Sequence, residues 1–358
     1  MRVSTLKDLG LAPLSWAWEW AYRLRRSGYE YGFFGREYFK VPVISVGNLT
    51  FGGTGKTPLI VWLTDVLAEH SLTPAVLTRG YKGDFEHGAG LIRAGQRFRL
   101  NPQDYGDEPL MIASKMQRGA VIVGKQRAKN LVRYFPEVRP DVVLLDDGFQ
   151  HLKIYRSFNI VLFDATMPYE RYKTAPAGYL REGLTALKDA DAIIVSRADL
   201  VSPERLRDLR VFLSRFHHHG PLWCEVGYRV VGLVDGTGHR SQPASELSGK
   251  RVIAVSAIAS PEAFYRTLES QGAQIVEKVS FSDHYFFTET DVNDLLLKAS
   301  RHSALVVCSE KDMVKLRRVS QDPRLWSLRI CVEFLSGEDS LRAALGKVLR
   351  LESHGQSI

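Results

Sequence analysis

Short continuous apolar runs punctuate the chain at VPVISVGN (41–48), PAVLT (74–78), AVIVG (120–124), DVVLLDD (141–147), NIVLFDA (159–165) and DAIIVSR (191–197). Helix-like segments separate several of them. Unalternated β-branched runs predict strands buried on both faces, and strands interleaved with helices predict a parallel sheet covered by helices. A second set follows at RVIAVSAI (251–258), GAQIVEKVSF (272–281) and ALVVCSEKD (304–312). Between the sets, CEVGYRVVGLVDGTGHRSQPASELSGKR is richer in glycine and turn residues, which predicts a domain boundary near residues 225–250.

The N-terminal pattern is different. LAPLSWAWEWAYRLRR (11–26) has its basic residues after the apolar run and no small-residue cleavage site, so it does not read as a signal peptide. Pro13 and Glu19 interrupt it, and it is short for a membrane span. At 100° per residue, Ser15, Glu19, Arg23 and Arg26 fall on one narrow stripe, and Trp16, Trp18, Trp20, Tyr22 and their apolar neighbours cover most of the rest. Two readings fit: a helix lying in a membrane interface, or a helix packed on the protein's own core.

NLTFGGTGKTPLI (48–60) joins the first strand to a segment that reads as a helix with Pro58 in its first turn. A glycine-rich turn between strand and helix lets backbone N–H groups converge on one anion at a helix N-terminus. In such a phosphate-binding loop Lys56 reaches the β- and γ-phosphates of a nucleotide and Thr57 holds Mg²⁺. The loop comprises Thr50, Phe51, Gly52, Gly53, Thr54, Gly55, Lys56 and Thr57. The usual pattern has glycine where Thr50 stands, and here Gly52 and Gly53 supply the flexibility.

Two acidic segments add chemistry. PDVVLLDDGFQH (140–151) ends a buried strand in Asp146 and Asp147, where a carboxylate beside a phosphate-binding loop holds Mg²⁺ directly or through water. YGDEPLMIAS (105–114) places Asp107 and Glu108 at a predicted helix start. Carboxylates there serve as caps, or one serves as a general base if the fold aims it at the γ-phosphate.

Composition narrows the class. The chain has 358 residues, 45% hydrophobic and 25% charged, enough for two cores. A net charge of +8 suits an anionic partner. Cys224, Cys308 and Cys331 lack the spacing of a disulfide frame or a zinc site. Adjacent histidines in FHHHG (216–220) point in different directions on any regular element and read as a solvated loop. His70, His87, His239, His302 and His354 show no usable spacing.

GNLTFGGTGKTP, LTRGYKG (77–83), GDEP (106–109), DDGFQH (146–151), PAGYLRE (176–182), FSDHYFF (281–287) and SEKDMVKL (309–316) stand in an order that resembles the tetraacyldisaccharide 4′-kinase family. The resemblance covers nearly the whole chain, including its tryptophan-rich start. SAIASPEAF (256–264) departs from it, with Ala257 and Ala259 where the family has glycines.

The resemblance implies an α/β fold, with a P-loop kinase core of mostly parallel sheet flanked by helices and a second, smaller α/β domain. The expected divisions are an N-terminal membrane-associating helix (1–35), the kinase core (36–225), a linker (226–250) and a second domain closing over the active site (251–350). The implied activity is that of a phosphotransferase with an alcohol acceptor. It moves the γ-phosphate of ATP to the 4′-hydroxyl of tetraacyldisaccharide 1-phosphate, giving lipid IVA for lipopolysaccharide. By resemblance Asp107 acts on the hydroxyl with support from His284 of the second domain, and Asp146 helps bind Mg²⁺. Asp147, Gln150 and His151 line the site, and Arg79, Glu108, Arg127 and Arg181 stand near it. The expected cofactors are ATP and Mg²⁺. The expected partners are the lipid substrate and an anionic membrane surface, with no nucleic acid and no protein partner. The expected location is the cytoplasmic face of the bacterial inner membrane, peripheral or monotopic.

Two other classes fit less well. Partitioning and chaperone-type ATPases carry a lysine before the glycine pair, where Phe51 stands, and a GTPase wants Asn-Lys-x-Asp where SRAD (196–199) has Ser196. For a nucleic-acid-binding module, no zinc spacing, aromatic RNA-binding signature or basic recognition helix stands out.

Overall fold

The computed structural model describes residues 5–96, 100–217, 219–258 and 261–351. His218, Ala259 and His354 lie outside the described residues. In chain order the elements begin α1 (Thr5–Glu30), β1 (Val43–Asn48), α2 (Lys56–Glu69), β2 (Pro74–Thr78), β3 (Gly90–Arg93), α3 (Pro102–Tyr105), α4 (Asp107–Lys115) and β4 (Ala120–Val123). Next come α5 (Arg127–Val138), β5 (Val142–Asp146), β6 (Phe158–Asp164), β7 (Ala192–Ser196), α6 (Pro203–Ser214), β8 (Leu222–Asp235) and β9 (Ser241–Gln242). The chain then forms β10 (Arg251–Ser256), α7 (Pro261–Ser270), β11 (Gln274–Ser280), α8 (Glu289–His302), β12 (Leu305–Ser309), α9 (Glu310–Val319), β13 (Leu325–Ser336) and α10 (Glu338–Leu349).

Cα packing divides the chain into two compact units. One comprises residues 1–77, 131–227 and 332–358, the other 78–130 and 228–331. This cuts the chain elsewhere than expected. Residues 78–130, placed by their sequence in the kinase core, pack with 228–331, and 226–235 of the expected linker belong to strand β8. β8 alternates buried and exposed positions and contains Gly227 and Gly232, so its sequence mimics a turn-rich linker.

In the first unit β7, β6, β1, β5 and β2 pair in that order, all parallel. The start of β8 adds to β7, also in parallel. Every residue of β1, β2, β5 and β7 is buried, as unalternated apolar runs require. One core cluster joins Leu49, Phe149, Val161 and Phe163 to Leu209 and Leu213 of α6. In the second unit β11, β10, β12 and β13 pair in parallel, and β3 and β4 pair antiparallel. Its cores are built around Ile253, Val255, Leu295 and Leu316, and around Val252, Tyr265, Leu268 and Trp326.

Helix α1 belongs to the first unit and turns Ser15, Glu19 and Arg26 of its polar stripe inward, while Arg23 stays exposed. Ser15 and Arg26 are buried, whereas Trp16 is 76% and Trp20 67% exposed. Ser15 Oγ accepts the Ala177 N–H at 3.0 Å, and Glu19 Oε2 accepts the Thr174 hydroxyl at 3.0 Å. Arg26 grips Glu182 through two hydrogen bonds, at 2.7 and 2.9 Å, and also pairs with Asp189. α1 therefore packs on its own unit through polar contacts, while Trp16 and Trp20 face solvent.

Candidate active site

The first unit builds a phosphate-binding loop. β1 delivers Asn48 to the end of a buried strand, and α2 opens shortly after it at Lys56. Gly52 (φ 101°) and Gly55 (φ 85°, the N-cap of α2) take left-handed conformations that disfavour any residue with a Cβ. Thr50 instead pairs as an antiparallel bridge with Leu180, an extended conformation open to a β-branched residue, which accounts for threonine where glycine is usual.

Asn48 organises the loop from beneath. Its Nδ2 donates to the Thr50 carbonyl (3.0 Å) and hydroxyl (3.2 Å), its Oδ1 accepts from Lys56 Nζ at 3.1 Å, and its carbonyl accepts from Gln150 Nε2 at 2.9 Å. Asp146 ends β5 in parallel register with β1, opposite Val46. Asp147 follows in a left-handed conformation (φ 48°), which Asp tolerates better than most residues. Its carboxylate lies 3.3 Å from Lys56 Nζ and accepts from Arg181 Nη1 at 2.7 Å. Arg181 also lies over the exposed Phe51 ring, and its N–H donates to the Leu49 carbonyl. His151 closes the Asp146–His151 turn through its N–H to Gly148 O at 2.8 Å. The Thr57 hydroxyl in the first turn of α2 and the Asp146 carboxylate at the end of β5 are hard oxygen donors. Among the described residues no group of three or more His, Cys, Asp or Glu side chains forms a cage for an ion. That donor set fits Mg²⁺ held largely through nucleotide phosphates.

The second unit builds a carboxylate–imidazole pair. Asp107 starts α4, is buried, and accepts the Glu108 N–H on Oδ1 at 2.9 Å. His284 Nδ1 lies 3.1 Å from its Oδ2. His284 is in a left-handed conformation (φ 64°), and its N–H donates to the Ala257 carbonyl. Tyr81 packs edge-on against the imidazole, with ring centroids 5.8 Å apart. Gly83 lets the Arg79–Gly83 turn close on this helix start, since a Cβ there would come within 2.7 Å of Gly106 N. Burial alone would push the Asp107 carboxyl up. The hydrogen bond from His284 and the charges of Lys311 and Lys315 outweigh it and hold the group below its usual range.

The remaining expected residues divide between these clusters. Glu108 Oε1 reaches Lys311 at 3.7 Å, beside the pair. Arg79 is bonded to Glu86 at 2.6 Å and touches the site through the Tyr81 ring. Arg127 is buried at the start of α5. The expected placement of His284 in a different domain from Asp107 gives way, because both lie in the second unit.

Four residues outside the expected set belong to these clusters. Asn48 and Arg197 join the loop, Arg197 donating to the Gly53 carbonyl at 3.4 Å and pairing with Asp164. Lys311 and Lys315 join Asp107, each with Nζ 3.9 Å from Oδ2. Both lysines lie in SEKDMVKL (309–316), one of the segments that carry the resemblance, and their spacing of four on an amphipathic helix puts both on one face.

Residues 8–350 match the family model described as tetraacyldisaccharide-1-P 4′-kinase. The chain is 36% identical over 318 residues to a tetraacyldisaccharide 4′-kinase of Desulfotalea psychrophila, covering 88% of this chain and 90% of that protein. It is 34% identical over 343 residues to one of Geobacter metallireducens, covering 95% and 97%. Among solved structures, the LpxK of Aquifex aeolicus in complex with ATP superposes with a TM-score of 0.78 at 26% identity, covering 96% of this chain and all of that one.

Proposed function

The chain belongs to the tetraacyldisaccharide 4′-kinase family, and from that membership we propose how its residues divide the reaction. The reaction is ATP-dependent phosphorylation of the 4′-hydroxyl of tetraacyldisaccharide 1-phosphate, which forms lipid IVA in lipid A biosynthesis. The division proposed is nucleotide binding by the loop cluster and handling of the sugar hydroxyl by the Asp107–His284 pair.

Phosphoryl transfer depends on alignment and charge neutralisation more than on covalent chemistry. Lys56 and the N–H groups at the start of α2 receive the β- and γ-phosphates. In the structure Lys56 rests on Asn48 and Asp147, so its ammonium is already held at the mouth of the loop. Arg181 and Arg197 bring two further positive charges to the same loop. Thr57 and Asp146 would hold Mg²⁺, which offsets charge on the phosphate oxygens when bound.

Asp107 accepts the proton of the 4′-hydroxyl. The observation that carries this reading is a buried carboxylate at a helix start, held below its usual pKa, with an imidazole nitrogen 3.1 Å from one of its oxygens. Its lowered basicity suits a loose transition state, in which the hydroxyl needs an aligned acceptor more than early deprotonation. His284 orients the carboxylate.

The outward apolar face of α1 supports a location at the membrane interface, where the lipid substrate resides. Trp16 and Trp20 project outward, while Leu14, Leu24, Phe33 and Tyr38 extend the exposed apolar surface. Among the described residues no helix is long and apolar enough to cross a membrane, so the helix would lie flat, and the net charge of +8 favours an anionic, cytoplasmic surface.

The test is incubation with ATP, Mg²⁺ and tetraacyldisaccharide 1-phosphate in mixed micelles, followed by mass spectrometry. The intact protein adds one phosphate to the lipid, and Asp107→Asn lowers turnover on the order of 10²–10⁴-fold without unfolding. Full turnover by Asp107→Asn would remove Asp107 from the hydroxyl.

A further inference from the structure

Helix α9 places two lysines against the carboxylate–imidazole pair. Lys311 Nζ lies 3.3 Å from His284 Nε2, 3.4 Å from Asp283, 3.7 Å from Glu108 and 3.9 Å from Asp107 Oδ2. Lys315, one turn further along, has a side chain only 2% exposed. Its Nζ is 3.1 Å from Asp312 Oδ1 and 3.9 Å from Asp107 Oδ2. Asp312 is itself fully buried and anchored, its Oδ2 accepting the Ala257 N–H at 3.1 Å and the Ser309 hydroxyl at 2.7 Å. Ala257 also accepts the N–H of His284. One backbone residue therefore ties the imidazole and the brace of Lys315 together.

We propose that Lys311 and Lys315 are positioning residues for the phosphoryl-transfer base. Lys311 sets the tautomer of His284, and Lys315 supplies the fixed charge that keeps Asp107 ionised in its buried place. This rests on the reading of Asp107 as the acceptor of the hydroxyl proton.

The tautomer follows from donor and acceptor chemistry. An ammonium has three N–H donors and no acceptor, so the imidazole nitrogen facing it offers a lone pair. Nε2 is then unprotonated, and the ring proton sits on Nδ1, which donates to Asp107 Oδ2. Lys311 stays charged in this position, because Asp107, Glu108 and Asp283 more than offset the downward pull of burial on its pKa. The other tautomer would set two lone pairs, on Nδ1 and on the carboxylate, against each other and release Asp107 from its orientation.

Lys315 acts by charge alone. At 3.9 Å in a buried setting, its ammonium favours the ionised carboxylate against the opposing effect of burial. Asp312 holds the Lys315 ammonium closer than Asp107 does, at 3.1 Å against 3.9 Å. The groups facing Asp107 are His284 with Asp283 from the 281–287 loop, Lys311 and Lys315 from α9, and Glu108 on its own helix. The cavity beside it is lined by Tyr81, Lys82 and Phe286.

The experiment compares full-length Lys311→Met, Lys311→Arg and the double variant Lys315→Met/Asp312→Asn, which removes both buried charges of that pair so that neither is stranded. Turnover is measured across pH with lipid substrate in micelles. The ring-nitrogen resonances of His284 are identified by difference from His284→Gln. Lys311→Met should lower kcat roughly ten- to hundredfold, less than loss of the base itself. KM for ATP should stay near its original value, and the acidic limb of the profile should move to higher pH. Lys311→Arg should return the limb. The double variant should shift it in the same direction. In the nitrogen spectrum Nε2 should lose its unprotonated character when Lys311 is removed. An unmoved acidic limb together with an unchanged His284 tautomer would overturn the proposal, including the case where kcat falls by one factor at every pH. Asp107→Asn in the same assay separates the two readings. If it is inactive while the lysine variants leave the limb and tautomer alone, only this inference fails. If it is fully active, the assignment of the base fails instead.

Discussion

His284 Nδ1 and Asp107 Oδ2 lie 3.1 Å apart although their residues are 177 positions apart in sequence. Groups that serve one step together fail together, so removing either should break the same step. In a double-mutant cycle on turnover at saturating ATP, Asp107→Ala should cost on the order of 10²–10⁴-fold, and His284→Ala less. The double variant should be little worse than Asp107→Ala alone. Strictly multiplicative losses would show that the two residues work separately.

The parts legible in the sequence were those written in local order. Buried parallel strands announce themselves as unbroken apolar runs, and all nine runs became strands. The phosphate-binding loop was legible because strand, glycines, Lys56 and helix are consecutive. The Asp107–His284 pair was not, since its two sides carry no shared periodicity, and only the resemblance joined them. Strands β8 and β13 were missed because their burial alternates and breaks, unlike that of the central strands. The stripe on α1 was found, but hydropathy cannot say which face looks inward. That was decided by Glu182 and Asp189, far along the chain, which offer Arg26 a buried partner set.

Lys56 should be indispensable to turnover and dispensable to folding. Its ammonium bonds Asn48 and stands 3.3 Å from Asp147, yet Asp147 keeps Arg181 when the lysine is gone. Lys56→Ala should therefore reduce phosphate transfer to near background while its thermal melt stays close to that of the parent. Near-normal turnover in a well-folded variant would falsify the role given to the loop.

The depressed pKa of Asp107 fixes the sign of a pH effect on stability. Burial opposes ionisation, but the His284 hydrogen bond and the two lysine charges overcome it. A carboxyl whose folded value lies below its unfolded one stabilises the fold above the unfolded value and loses that contribution as pH falls through the folded value. The window therefore opens near the ordinary value of 3.8 and extends downward. The melting-temperature gap between the intact protein and Asp107→Asn should be constant near neutrality and shrink as pH falls below that point. A gap that holds steady into stronger acid would mean that Asp107 adds nothing through its charge.

Helix α1 separates two effects that its removal would confuse. Its inward stripe anchors the first unit: Arg26 is buried against Glu182 and Asp189, and Trp18 Nε1 donates to the Arg181 carbonyl at 2.9 Å. Its outward face offers Trp16 and Trp20 to the surroundings. Arg26→Met would leave Glu182 buried without its partner, a loss of about 3–5 kcal/mol. It should also reduce turnover, because Glu182 adjoins Arg181, which holds Asp147. Trp16→Glu/Trp20→Glu touches none of those contacts. That double variant should melt and bind ATP like the parent, yet fail to float with anionic vesicles and turn over vesicle-borne lipid poorly. Activity on substrate dispersed in detergent should survive, since the phosphate-binding loop and the Asp107–His284 pair are untouched. If the variant floats as well as the parent, the outward tryptophans have another purpose and the membrane reading of α1 is wrong. If it fails to float but works equally well on vesicle-borne lipid, docking through α1 is not the route by which the substrate arrives.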